Sequence, residues 1–357
     1  MNAAKPAFSR RNMTALRFGS QGFMEMAETG NFGMPTIISA QDEGAAISAA
    51  VAWLRKGLAV AIPTETVYGL AADATDGEAV ALIFQLKGRP SFNPLICHVD
   101  GLLMADELGK LSPVARRLAT QFWPGPLTLV VPCRPDSGVH DLVTAGLGTV
   151  GLRCPKGIAR QIISALGRSL AAPSANRSGR ISPTTAKHVA EEFADTELLI
   201  IDQGLSPVGV ESTIVRVDGE ILTQLRPGAI TSAEIEAVAG VPVHYPERNA
   251  GIQAPGMMTS HYAPDAVVRL NCNDCETGEA WLNFGNRPVP TAAGVSLNLS
   301  VKSSLTEAAT NLYAFLKQLD KTGASAICVA PIPEEDLGIA INDRLRRAAA
   351  PRVKETE

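Results

Sequence analysis

Lys87, Arg89, Arg153 and Arg226, together with Thr64, Thr149, Ser174 and Ser212, fall at the ends of apolar runs in this sequence. Cations with hydroxyls neutralise triphosphate and carboxylate groups and orient them for attack, so catalysis would rest on positioning and electrostatics. Any one arginine read alone is more often the partner of a surface carboxylate. Their shared placement at strand ends is what groups them. The serine-rich loops hold no G-x-S-x-G elbow and no acid is paired with a histidine, which argues against a nucleophilic triad. No G-x-x-x-x-G-K-[ST] word occurs, so a bound nucleotide would not be held by a P-loop. A literal G-x-G-x-x-G at Gly146, Gly148 and Gly151 runs into an expected strand and Pro155 instead of a helix, which excludes a dinucleotide fingerprint. Cys272 and Cys275 form a lone C-x-x-C without a second ligand pair, and no dedicated metal site is expected.

The elements that must position these groups centre on residues 58–99. An apolar run at 58–62 reads as a buried strand closed by Pro63, and the next loop carries Thr64, Glu65, Thr66 and Tyr68. Asp76 can cap a helix whose Val80, Ile83 and Phe84 recur at helical spacing and which stops at Gly88. Lys87 and Arg89 flank that stop, Pro90, Asn93 and Pro94 stiffen the turn, and His98 falls in a strand at 95–99. Two cations on a stiff turn suit an anionic ligand.

Further strands are expected at 127–131, 149–154 and 198–202, and helices from Asp42 to Gly57, at 113–122, from Ser182-Pro183-Thr184 through Phe193, and from near Thr231. Alternating strands and helices indicate an α/β fold. Residues 1–35 lack the apolar core of a secretory signal and read as an extension, disordered or upstream of a later start. The Pro- and Gly-rich stretch 244–264 reads as a linker between a domain at 36–243 and a smaller α/β unit at 265–357. That unit has strands at 267–270, 294–299 and 326–329 and a helix at 305–319, and 342–347 reads as a solvated helix face.

The chain has 357 residues, 46% hydrophobic and 19% charged, a soluble globular composition long enough for two cores. Its net charge of -4 argues against coating DNA or RNA by bulk charge, and no apolar run approaches a membrane span. Six scattered cysteines give no disulfide framework, which points to a reducing cytoplasm.

The words PTETVYGL, KGRPSFNPL, FWPGPLT, TVGLRCP, APSANRSGRISPT, GVESTIV and LRPG occur in order from Pro63 to Gly228, followed by APGM, HYAP and AINDRL. Together they resemble the YrdC/Sua5 family, in its longer two-domain form. The resemblance implies a YrdC-like twisted mixed sheet with flanking helices plus a small Rossmann-like C-terminal domain. It implies an L-threonylcarbamoyladenylate synthase that joins L-threonine, bicarbonate and ATP with release of pyrophosphate, Mg²⁺ bridging the phosphates. The product would pass to the threonylcarbamoyl-transferase complex that modifies tRNA beside the anticodon.

By the same resemblance Thr64, His98, Arg153 and Ser212 hold threonine, with Arg153 as a fork on its carboxylate. Lys87, Arg89, Asn93, Thr149, Ser174, Asn176 and Arg226 hold nucleotide, Lys87 and Arg89 being the catalytic cations. His261 and Tyr262 close the linker over the site, although Met258-Thr259-Ser260 departs from the basic and aromatic residues common there. Two other readings use a similar domain. A carbamoyl-transfer maturation factor would need acylphosphatase-like and paired zinc-finger segments, which are missing from this sequence. A non-catalytic RNA-binding module would have no use for threonine-site residues, and salt-dependent RNA binding without ATP turnover would mark it.

Overall fold

The computed structural model describes residues 33–247, 251, 253–258 and 260–351. Most of the expected extension (1–32), positions 248–250, 252 and 259 of the expected linker, and residues 352–357 lie outside the described residues.

The chain opens with β1 (Thr36–Ser39), α1 (Glu43–Leu54), β2 (Val60–Ile62), β3 (Gly69–Asp73), α2 (Gly77–Lys87) and β4 (Ile96–His98). Next come α3 (Leu102–Leu108), α4 (Pro113–Phe122), β5 (Leu127–Pro132), α5 (Asp141–Thr144), β6 (Thr149–Arg153), α6 (Ile158–Leu166) and β7 (Leu170–Ala171). Then follow α7 (Ala186–Glu192), β8 (Leu199–Asp202), β9 (Thr213–Asp218), β10 (Ile221–Arg226), α8 (Ser232–Ala239) and β11 (Val243–His244). These strands form one mixed sheet in the order β1-β8-β2-β3-β7-β4-β6-β5-β9-β10-β11. A second run, β12 (Val267–Arg269), β13 (Ala280–Asn283), β14 (Val295–Asn298), α9 (Leu305–Asp320), β15 (Ala326–Val329) and α10 (Leu337–Ala349), builds a parallel sheet in the order β12-β15-β13-β14.

Alternation within the apolar runs sets the layers. Along β8 and the residue before it, Leu198 and Ile200 join one core while Leu199 and Ile201 join another, because successive side chains leave opposite faces of the sheet. Helices α1 and α6 cover the second of these faces with Ala46, Ala50, Ile158 and Ile162. Helices α2, α4, α7 and α8 cover the first with Val80, Leu118, Val189 and Ile235.

The other half of the sheet is built differently. Along β4, β5 and β9, residues Cys97, Leu129 and Val215 face the helical layer. Their neighbours Ile96, Val130 and Ile214 face away from it, and there Ala254 and Met257 of the connecting segment cover them instead of a helix. Alternation therefore sends His98, Thr128, Thr149 and Arg153 to this thinly roofed face as well.

Local signals place most boundaries. The Asp76 side chain accepts from the Glu78 and Ala79 amides to start α2, and Gly88 ends it with φ 58°, a left-handed cap that glycine adopts freely. One expected start is displaced. Thr185 caps the His188 amide and α7 begins at Ala186, while Pro183 lends its carbonyl to the Tyr68 amide instead of standing in the first turn. Strand β13, which the sequence pattern did not single out, is wholly buried.

The second unit docks on the first through shared apolar and ionic contacts. Val67 and Val210 of the first share a core with Ala309, Leu312 and Tyr313 of the second. Gly209 has φ 76°, and a Cβ there would lie 2.2 Å from the Ala309 carbonyl oxygen, so only glycine lets the chain pass helix α9 this closely. The expectation of a solvated face at 342–347 is overturned, because Arg344 on α10 is only 1% exposed. Its Nε donates to Glu211 Oε2 at 2.8 Å, where the Tyr313 hydroxyl also donates at 2.8 Å. Glu211 Oε1 accepts from the Ser182 hydroxyl at 2.5 Å.

Burial works to raise the Glu211 carboxyl, but Arg344 and Arg226 outweigh it and hold the pKa at about 2, below the ordinary 4.5. A carboxylate depressed on folding stabilises the fold above its unfolded pKa and loses that contribution as pH falls toward the folded one. Lowering the pH from about 5 to about 2 is thus expected to reduce the urea midpoint more steeply in the wild type than in Glu211→Gln, which has no carboxyl to protonate. Equal slopes would remove Glu211 from the acid transition.

Candidate active site

The thinly roofed sheet face opens into a cleft. Thr64, His98, Arg153, Ser174, Arg89 and Arg226 line it, and His261 and Tyr262 of the connecting segment close it from above. Thr64, His98, Arg153 and Arg226 come from the ends of different strands. Thr64 follows β2, its hydroxyl donating to the Val67 carbonyl at 2.7 Å, which fixes the tight turn. His98 ends β4 and Arg153 ends β6, paired in parallel register so that both project at one level. Arg226 ends β10 beyond an irregularity in the ladder. Its Nε and Nη2 donate to the Ser212 carbonyl at 3.0 Å and hydroxyl at 3.1 Å. The Ser212 hydroxyl also bonds Thr128 at 2.7 Å, so Ser212 braces the wall under Arg226.

Not every expected residue reaches this cleft. Thr149 lines an adjoining recess that shares Ile96 and Pro255 with it. Lys87 lies behind the wall, its ammonium donating to the carbonyls of Ser174 and Asn176. Burial, with Arg89 nearby, pushes this lysine well below its ordinary pKa. Arg89 is anchored by the carbonyls of Asn93 at 3.1 Å and Pro94 at 2.8 Å. The amide group of Asn93 donates to the Met258 sulfur at 3.5 Å. That of Asn176 donates to the carbonyls of Arg177 and Arg180. Both side-chain oxygens, Asn93 Oδ1 and Asn176 Oδ1, are buried without a hydrogen bond among the described residues.

The electrostatics favour anions. Burial, reinforced by Arg153, drives the His98 imidazole down to about 3. Burial with Arg89, Lys87 and Arg226 takes His261 to about 3. Both rings are therefore neutral at physiological pH, and His261 Nδ1 is buried with no partner among the described residues. Gly256 turns the roof inward with φ 83°, where a Cβ would lie 2.9 Å from the Tyr262 hydroxyl. Among the described residues no three His, Cys, Asp or Glu side chains converge as metal ligands.

Comparison with known proteins follows this geometry. A family model described as "Telomere recombination" (Sua5_yciO_yrdC) matches residues 52–228, and one described as "Threonylcarbamoyl-AMP synthase, C-terminal domain" matches 230–350. The threonylcarbamoyl-AMP synthase of Bacillus subtilis (strain 168) is 39% identical over 86% of this chain and 94% of its own. The chain belongs to the Sua5/YrdC family. The same-named protein of Pyrococcus abyssi (strain GE5 / Orsay) is 39% identical over 86% of this chain and 95% of its own. The crystal structure of P. abyssi Sua5 complexed with L-threonine superimposes with a TM-score of 0.78 at 36% identity, covering 88% of this chain and 97% of that one. The two-sheet α/β architecture is thus that of a two-domain Sua5/YrdC protein.

Two acidic residues in this Sua5/YrdC site carry no role in the sequence reading. Glu65 Oε1 accepts from Arg153 Nη2 at 2.8 Å, and Oε2 accepts from the Lys156 amide at 2.9 Å. Two nitrogens of the expected Arg153 fork are therefore already engaged, Nη2 by Glu65 and Nε by the Gly125 carbonyl at 3.4 Å; among the described residues Nη1 has no bonded acceptor. Glu211 braces the neighbouring wall in the same manner. The available signal was a charge inside a run of otherwise small and apolar residues, which a fold tolerates only with a partner. The Glu65–Arg153 pair is 7% and 5% exposed at the side chains. Glu65→Ala strands the guanidinium and is expected to lower the unfolding free energy by about 3 kcal/mol in urea titrations. A change within experimental error would show that solvent reaches Arg153.

Proposed function

We propose that this chain is an L-threonylcarbamoyladenylate synthase. The observation that carries the proposal is the convergence of Thr64, His98 and Arg153 with Arg89, Ser174 and Arg226 in one cleft beneath His261 and Tyr262. The whole-chain likeness to proteins named threonylcarbamoyl-AMP synthase, and to a Sua5 structure holding L-threonine, supports it.

In this reading the threonine amine and bicarbonate form a carbamate with loss of water. A carbamate oxygen attacks the α-phosphorus of ATP, and the bond to the β-phosphate oxygen breaks to release pyrophosphate. Arg153, steadied by Glu65, takes the threonine carboxylate through Nη1, Thr64 and His98 border the amino acid, and Ser212 holds its wall. Arg89 and Arg226 offset the charge that builds on the phosphates, and Lys87 and Asn176 fix the Ser174 loop against the nucleotide. Asn93 and Thr149 border the nucleotide side. Attack and departure then need little motion, because the donors are already in place.

Mg²⁺ carried by ATP would supply charge screening at its phosphates, the described residues offering no cluster of three His, Cys, Asp or Glu to hold it. The product is a mixed anhydride prone to hydrolysis, so a threonylcarbamoyl-transferase complex acting on tRNA in the cytoplasm is the step that consumes it. No helix among the described residues is long and apolar enough to cross a membrane.

Purified protein is expected to release pyrophosphate from ATP only when L-threonine and bicarbonate are both present. Release without threonine, or none from folded protein with Mg²⁺, would overturn the assignment. Arg153→Ala is expected to raise the threonine KM by roughly tenfold or more, the worth of a lost charge-assisted hydrogen bond, with the ATP KM nearly unchanged. Equal losses for both substrates would reassign Arg153.

A further inference from the structure

We propose that Arg347 is a positioning residue that clasps the connecting segment shut over the cleft, an inference that rests on the reading of that cleft as the reaction site. Helix α10 ends at Ala349, so the carbonyls of its last turn have no partners within the helix. The connecting segment supplies them. The His261 amide donates to the Arg347 carbonyl at 3.2 Å, and the Ser260 hydroxyl to the Ala350 carbonyl at 3.4 Å. In return Arg347 Nη1 donates to the Met258 carbonyl at 2.6 Å. One residue thus holds the segment by main chain and side chain, on both sides of position 259. The pairing is reciprocal, since each partner fills a vacancy in the other.

The arginine is itself held in place. Its Nε donates to Asp343 Oδ2 at 3.1 Å, one turn earlier, and the same carboxylate oxygen accepts from Arg344 Nη1 at 2.7 Å. Arg344 reaches Glu211 and lies 5.3 Å from the Tyr262 ring. Asp343 therefore joins the clasp on the roof to the ion pair in the wall. Met258, whose carbonyl Arg347 grips, also turns its sulfur to Asn93 in the site. Loosening Arg347 should release Met258 and His261 together while the two cores stay packed, because its side chain is 19% exposed and belongs to neither.

The test is amide hydrogen exchange of the full chain over residues 254–263, alongside steady-state kinetics. Arg347→Gln is expected to speed exchange in that segment and raise the threonine KM, each by roughly five- to tenfold, with the thermal midpoint preserved. Arg347→Lys keeps one donor for the Met258 carbonyl and is expected to recover most of both. Arg346→Gln removes an arginine that pairs with the exposed Glu334 and is expected to match the wild type in both readouts. Should Arg347→Gln fail to fold, Asp343→Asn frees the guanidinium without deleting it and is expected to speed the same exchange. Wild-type exchange in the folded variants, or equal effects from Arg346→Gln, would overturn the clasp. The exchange result stands apart from turnover: a wild-type chain that makes no pyrophosphate would sink the proposed reaction and leave the clasp to be judged by exchange alone.

Discussion

A carboxylate that is 5% exposed organises the meeting of the two units. Glu211 accepts from Ser182, Tyr313 and Arg344, which come from a loop of the first unit and two helices of the second. Leaving any of these donors unmatched would cost desolvation without return, so the carboxylate fixes the three segments in one arrangement. Its chain neighbour Ser212 is bonded by Arg226, and Arg344 lies beside Tyr262, so the cleft's wall and roof both depend on this contact. An apolar contact of the same size would hold the units together but would not dictate orientation as tightly.

The second constraint is that half the large sheet is not covered by helices on one face. Elsewhere α1 and α6 bury that face under Ala46, Ile158 and Ile162. Over Ile96, Val130 and Ile214 the cover among the described residues is the connecting segment at Gln253, Ala254, Pro255 and Met257, with no helix. A continuous helical layer would fill the space a substrate needs, whereas a short segment with few apolar contacts leaves a cleft and can open at low cost. Among the cleft's guanidinium groups Arg153 is paired with Glu65, while Arg89 and Arg226 are held by carbonyl and hydroxyl oxygens, and burial keeps His98 and His261 neutral. An anion entering the cleft meets guanidinium groups with few competing carboxylates, Glu65 and Glu211 already being bound.

Much of the first sheet was legible because its central strands β2, β4 and β8 are buried on both faces and read as unbroken apolar runs. Asp76, Gly88 and Thr231 marked their helices by capping chemistry, and the structure uses all three as caps. Strand β3 was not legible, since Gly69-Leu70-Ala71-Ala72-Asp73 has low strand propensity and is extended only because β2 and β7 hold its two edges. Within the site, the grouping of cations with hydroxyls at strand ends was readable. What the sequence pattern could not assign was which arginine faces ligand and which faces protein. Lys87 and Arg344 show the difficulty: the one turns to carbonyls behind the wall, the other to Glu211. Yet Arg344 did carry a signal, lying with Ile341, Leu345 and Ala348 on the buried stripe of α10 at helical spacing.

Arg344 and its neighbour Arg347 tie the small second sheet's unit to the wall and roof of the cleft on the large one. A single-domain version of the cleft would have to hold its roof by contacts from its own sheet, where Ala254 and Met257 offer little area. Docking α10 beside the cleft supplies the carbonyl of Arg347 to the His261 amide and the Arg347 guanidinium to the Met258 carbonyl. These are single hydrogen bonds to backbone, each weak enough to break and remake within a catalytic cycle, and they act together only when the segment is closed. Among the described residues none of the second unit lines the cleft, so its part is to hold the segment that does.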